Sequence, residues 1–260
     1  AAAIPMTSMT SMAAVKAEIE ERSAFQKQVV ADREAHRGAI EALAARVAAL
    51  APADEAAAAA FLEEVDMALA PLCDEAAVLR AFPEFPHRRV ELLREVAGHA
   101  RDLRELAAAL DVRRADWHAR GSMQEEAAHV QAEFARVQAQ VEWHGRRAAE
   151  YARTCAALGV RPDARAELRV RLNAVGAAKY VMQIGLAAAG RLGEAAGDAE
   201  ARALAQLEGQ VAALLEQGLR LAFRAHQFAG GFDAEAADLF HQTRAALHAL
   251  QPPPPPPPAP

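Results

Sequence analysis

Apolar residues recur along this chain at intervals of three and four, the repeat of one helical face. Strict alternation in steps of two, the mark of half-buried strands, does not occur. Residues 1–12 are small and polar and are expected to form a disordered lead-in. A long helix is expected over 13–51, with the seam Val15, Ile19, Arg22, Gln26, Val29, Arg33, His36, Ile40, Leu43, Val47, Leu50. The seam is apolar at its C-terminal end and polar in the middle, which makes a partial coiled coil. Pro52 stops this helix and Asp54 can cap the next, whose face is Phe61, Leu62, Val65 and Leu69. Pro71 interrupts it. A restarted piece with Val78, Leu79 and Phe82 ends at Pro83-Glu84-Phe85-Pro86.

From His87 a face of Val90, Leu93, Val96, Ala100, Leu103, Leu106 and Leu110 predicts a helix ending at Gly121. Ser122 with Glu125 forms a capping box, which opens one helix through Phe134, Val141, Tyr151 and Leu158 to Gly159. Pro162-Asp163 begins the next, in which Leu168, Leu172, Val175, Met182 and Leu186 are expected to face inward. Residues 190–200, with three glycines, read as a loop. A helix through Leu207 and Leu219 then runs to Gly230-Gly231, and Asp233 caps the last one. The expected fold is all-α: an elongated helical bundle with a long N-terminal helix. The expected organisation is a dimerisation segment at 13–51, a bundle domain at 52–250 and a polyproline tail at 251–260.

Composition supports length of helix over bulk of core. Hydrophobic residues make up 53% of the chain, largely alanine, and aromatics only 5%. Alanine is the best helix former and buries little area. The 29 basic and 35 acidic residues leave a net charge of -6, which argues against nucleic acid as a partner. No apolar run approaches the ~18 residues that would span a bilayer. Cys73 and Cys155 lack metal-ligand spacing and read as reduced, buried thiols. The chain begins Ala1-Ala2-Ala3, as expected of a piece cut from a longer protein.

Candidate chemistry is sparse. A di-iron site in a bundle needs two Glu-x-x-His motifs and two further glutamates. Glu126 with His129 fits once. Glu84 with His87 encloses Pro86, and Asp238 with His241 has the shorter acid. His118, His129 and His144 lack a partner histidine four residues away and read as solvated or hydrogen-bonded. No phosphate-binding glycine loop occurs. The chain is therefore expected to be no enzyme and to hold no cofactor.

The segment from Arg220 to Glu235 differs from the rest. Three phenylalanines, Phe223, Phe228 and Phe232, surround Gly230-Gly231, and Asp233 starts a new helix at once. This predicts a tight corner with Phe228 and Phe232 packed across it. Arg224, His226 and Gln227 are left for helix-end carbonyls or a partner. The run resembles the C-terminal signature of the chloroplast unusual positioning family of plants. Residues 16–25, Asp74-Glu75 with the following Ala76-Ala77-Val78-Leu79 and Phe82, Leu92 to Glu95, Asp102-Leu103, and Lys179-Tyr180 agree in order with that family, over about 16–250.

The resemblance implies a fold like the formin-type actin domain. It implies an actin-assembly factor working with profilin-bound actin at the cytosolic face of the chloroplast outer envelope, in a plant or green alga. A sister group binds microtubules, and a non-catalytic dimeric scaffold is a further alternative. Three departures bear on this. The family's tryptophan is replaced in the Phe61/Val65 region, its lysine-rich stretch reads Val181 to Gly185 here, and its proline-rich region precedes the domain. The run Pro252, Pro253, Pro254, Pro255, Pro256, Pro257 and Pro258 is expected to form a polyproline II rod, either a profilin ligand or a spacer. The seam Ile40, Leu43, Val47, Leu50 would be exposed on a lone helix, which leads to the expectation of a homodimer or a folded-back helix.

Overall fold

A computed structural model of the protein describes residues 7–113, 122–195 and 201–251. Among these the fold is all-α, with ten helices in packed bundles and no strand. The helices are α1 (Thr7–Ala35), α2 (Arg37–Ala49), α3 (Glu55–Leu69), α4 (Glu75–Leu79), α5 (His87–Ala109), α6 (Met123–Arg146), α7 (Ala148–Leu158), α8 (Ala164–Ala195), α9 (Ala201–Ala229) and α10 (Ala234–Leu250). The chain divides into two compact units, one of residues 1–98 with 151–162 and one of 99–150 with 163–260. These boundaries cut through α5 and α7, not at residue 52 where composition places the start of the bundle.

In the first unit the long N-terminal helix is two helices. They part at His36, a polar position of the seam, whose φ of -104° and ψ of 5° leave the helical range. Helix α1 begins at Thr7, inside the expected lead-in. Ile40, Leu43 and Val47 of α2 are buried, with Ile40 only 3% exposed. They join Ala58, Val65 and Leu69 of α3, Val78 and Leu79 of α4, Val90, Leu93 and Val96 of α5, and Tyr151, Cys155 and Leu158 of α7 in one core. The seam is covered within the chain and does not call for a second copy. Asp54 and Asp74 cap α3 and α4, their side chains accepting from the amides of Ala57 at 2.8 Å and Ala77 at 2.7 Å. Cys155 is buried, but Cys73 is exposed, and its backbone N–H donates to Asp32.

In the second unit the core is built from Leu103, Leu106 and Leu110 of the α5 end, Val130, Phe134 and Val137 of α6, and the faces of α8 and α9. Ser122 caps α6 by accepting from the Glu125 amide. Helix α6 ends at Arg146, where one continuous helix to Leu158 was expected, and α8 persists to Ala195, inside the expected loop. The α8 face turned to the core is Val170, Ala174, Ala177, Ala178, Val181 and Met182. Leu168 and Leu172, expected inside, are 54% and 61% exposed. Val175 and Met182, expected inside with them, are buried. Helices α8 and α9 approach so closely that a methyl group on Gly218 would lie 3.3 Å from the Met182 Cα, and one on Gly185 3.2 Å from the Leu215 side chain. Glycine at these two positions permits that approach.

Candidate functional site

The corner between α9 and α10 is shaped by glycine. Gly230 has φ 79° and Gly231 φ 153°, both in the range that favours glycine. The amides of both donate to the carbonyl of His226 at 3.0 Å. The carbonyl of Phe228 accepts from the Arg171 guanidinium of α8. These two helix-end carbonyls are satisfied by backbone and by Arg171, and not by Arg224, His226 or Gln227, for which helix-end carbonyls were one of two expected roles and a partner the other.

The phenylalanines do not pack across the corner on one another. Phe228 lies edge-on to Phe134 of α6 with ring centroids 5.8 Å apart, and the Arg171 guanidinium stands 5.2 Å over its ring. Phe232 meets the His226 ring at 4.9 Å and Phe240 of α10 at 6.2 Å. Phe223 remains on the surface, 58% exposed. Arg224 turns to α6, where it stands 4.9 Å over the Phe134 ring and donates to the Gln138 side chain at 2.9 Å. Gln227 is exposed and its side chain has no partner among the described residues.

Two positions singled out far apart in sequence are brought together here. Asp233 caps α10 by accepting from the Ala236 amide at 2.8 Å, and its second oxygen accepts from Lys179 of α8 at 3.0 Å. Lys179 also donates to Glu235 at 2.7 Å. The Ala236 amide and then Lys179 hold the Asp233 carboxyl below its ordinary range. Burial alone would lower the Lys179 ammonium, and the bonds to Glu235 and Asp233 outweigh it and raise the group. Beside this cluster lies a hollow of about 420 Å³, bounded by Leu168, Leu172, Val175 and the Gly231-Phe232 turn.

The remaining candidates have structural partners. Tyr180 donates to Glu126 at 2.8 Å, which commits the carboxylate of the only clean Glu-x-x-His motif to a hydrogen bond. Burial and that bond push the Tyr180 hydroxyl up to about 12. In the first unit, Asp74 is a cap and Glu75 pairs with Arg94 at 2.9 Å. Among the described residues no cluster of three metal-ligating side chains occurs. His118 and Pro252 to Pro258 lie outside the described residues. The contacts of Arg171, Phe134 and Gln138 with this corner were not legible in the sequence, because they span from 57 to 94 positions and leave no periodic signal. No family model matches the chain.

Proposed function

We propose that this chain is a non-catalytic actin-binding module, which promotes actin assembly together with profilin and in its parent protein serves chloroplast positioning. The observation that carries the reading is the division of labour in the signature segment. Phe228, Phe232, Arg224 and His226 have partners within the unit, Arg224 and His226 at its surface, while Phe223 and Gln227 stand exposed on α9 with no hydrogen bond or ring contact of their side chains. The corner does not need an exposed phenylalanine, and an aromatic beside an amide donor suits a protein partner. Asp74 serves as a helix cap, Glu75 pairs with Arg94 and Glu126 accepts from Tyr180.

The test is pyrene-actin assembly with the full chain, with and without profilin. Assembly should accelerate, and Phe223→Ala with Gln227→Ala should abolish the gain while the melting temperature holds. Truncation after Gln251 should remove only the profilin-dependent part. Absence of any effect on actin, or co-sedimentation with microtubules in place of actin filaments, would overturn the reading.

A further inference from the structure

We infer that the outer face of the first turns of α8, continued by the hollow under the Gly231-Phe232 turn, docks an acidic protein surface with apolar side chains to offer. On the reading proposed above, on which this inference rests, that surface belongs to the actin filament. The four residues Arg165, Leu168, Arg169 and Leu172 are spaced at three, one and three, which puts them on one helical face. All four are exposed. The two leucines lie outside the core, which α8 enters through Val170, Ala174, Ala178, Val181 and Met182. Next to them the hollow of about 420 Å³ can accept a side chain against Val175 and Phe232.

The charge on this face decides what can cover it. Neither the Arg165 nor the Arg169 guanidinium has an acidic partner among the described residues. Nearby, Arg171 pairs with Glu167, Lys179 lies between Asp233 and Glu235, which leaves one acidic charge in excess there, and the Asp163 carboxylate accepts from the Arg165 backbone amide. Two exposed leucines framed by two arginines therefore present apolar area together with guanidinium groups that no carboxylate holds. An acidic surface satisfies both, and a basic one is repelled. A second copy of this face would set arginine against arginine, which disfavours self-association through it.

The experiment is co-sedimentation of the full chain with actin filaments. Wild type is compared with Leu168→Ala/Leu172→Ala and with Arg165→Glu/Arg169→Glu, each checked for an unchanged melting temperature. Each double variant should weaken binding by roughly ten-fold, and added salt should weaken the wild type more than the arginine variant. If wild type pellets and either double variant pellets equally well, this face is not the contact, while the actin reading stands. If wild type does not pellet, the actin reading fails and takes this inference with it. A concentration-dependent increase in mass by light scattering that the leucine variant abolishes would assign the face to self-association and overturn the inference.

Discussion

At Gly218 a methyl group would meet the Met182 Cα at 3.3 Å, its Cγ at 3.4 Å and its backbone N at 3.5 Å. Glycine to alanine gains about 1 kcal/mol of helix propensity. Here the clash is largely with backbone, which cannot yield without parting α8 from α9. Gly218→Ala should therefore lower the melting temperature. Gly209, exposed on the same helix, has nothing within 4 Å, so Gly209→Ala should raise it by the propensity gain alone, up to ~1 kcal/mol. Thermal denaturation followed by circular dichroism ranks the two, and a stabilised Gly218→Ala would refute the close approach.

Titration belongs to this scale as well. Burial holds the His144 imidazole below its ordinary range, against the opposing pull of Asp102 at 3.8 Å. Its contribution to stability is present above the unfolded histidine value of 6.5 and is lost as pH falls through the lower folded value. His144→Gln should flatten stability against pH on the acid side of 6.5. Tyr151 and Tyr180 are raised, by burial first and then by their bonds to Glu55 and Glu126. Their contributions hold below pH 10 and are lost above it. Urea unfolding at stepped pH should show a fall beyond pH 10 that Tyr151→Phe with Tyr180→Phe reduces.

Among the elements, Asp233 has two separable roles. Asp233→Asn keeps a capping oxygen for α10 and loses the ion pair with Lys179, an exposed contact worth ~0–1 kcal/mol. Asp233→Ala loses the cap too, a further ~1 kcal/mol. The alanine variant should therefore unfold at a lower temperature than the asparagine variant, and equal melting points would deny the cap its role. Arg224 ties α9 to α6 through the Phe134 ring and Gln138. Arg224→Ala should cost on the order of 1 kcal/mol. Any loss of partner binding in that variant has to be read against this loss of packing, which is why Phe223 and Gln227 are the cleaner probes.

For the molecule as a whole, the α2 seam decides between two pictures. Ile40, Leu43 and Val47 lie in the core of the first unit. Ile40→Asp would place an unpaired carboxylate there and cost more than ~3 kcal/mol. The full chain should lose helicity by circular dichroism. Were the seam instead a contact between copies, the same substitution would leave a fully helical chain of half the mass by light scattering.

The sequence by itself determined the class of fold and most breaks between helices. Periodicity three and four, proline at 52, 71, 83, 86 and 162, the acids at 54, 74 and 233, and Gly230-Gly231 act over a few residues and need no tertiary context. It also marked Lys179 and Asp233, though not that they meet. Tertiary packing decided which apolar residues of α8 are buried. Of the face that periodicity favours, Val175 and Met182 are buried, while Leu168 and Leu172 stand exposed. Packing likewise sent Phe228 to Phe134 and Arg171 to the Phe228 carbonyl, and folded α2 onto its own unit. These choices compare distances between segments far apart in the chain. A local pattern shows that a residue is apolar, and only the neighbour that reaches it settles whether it is inside.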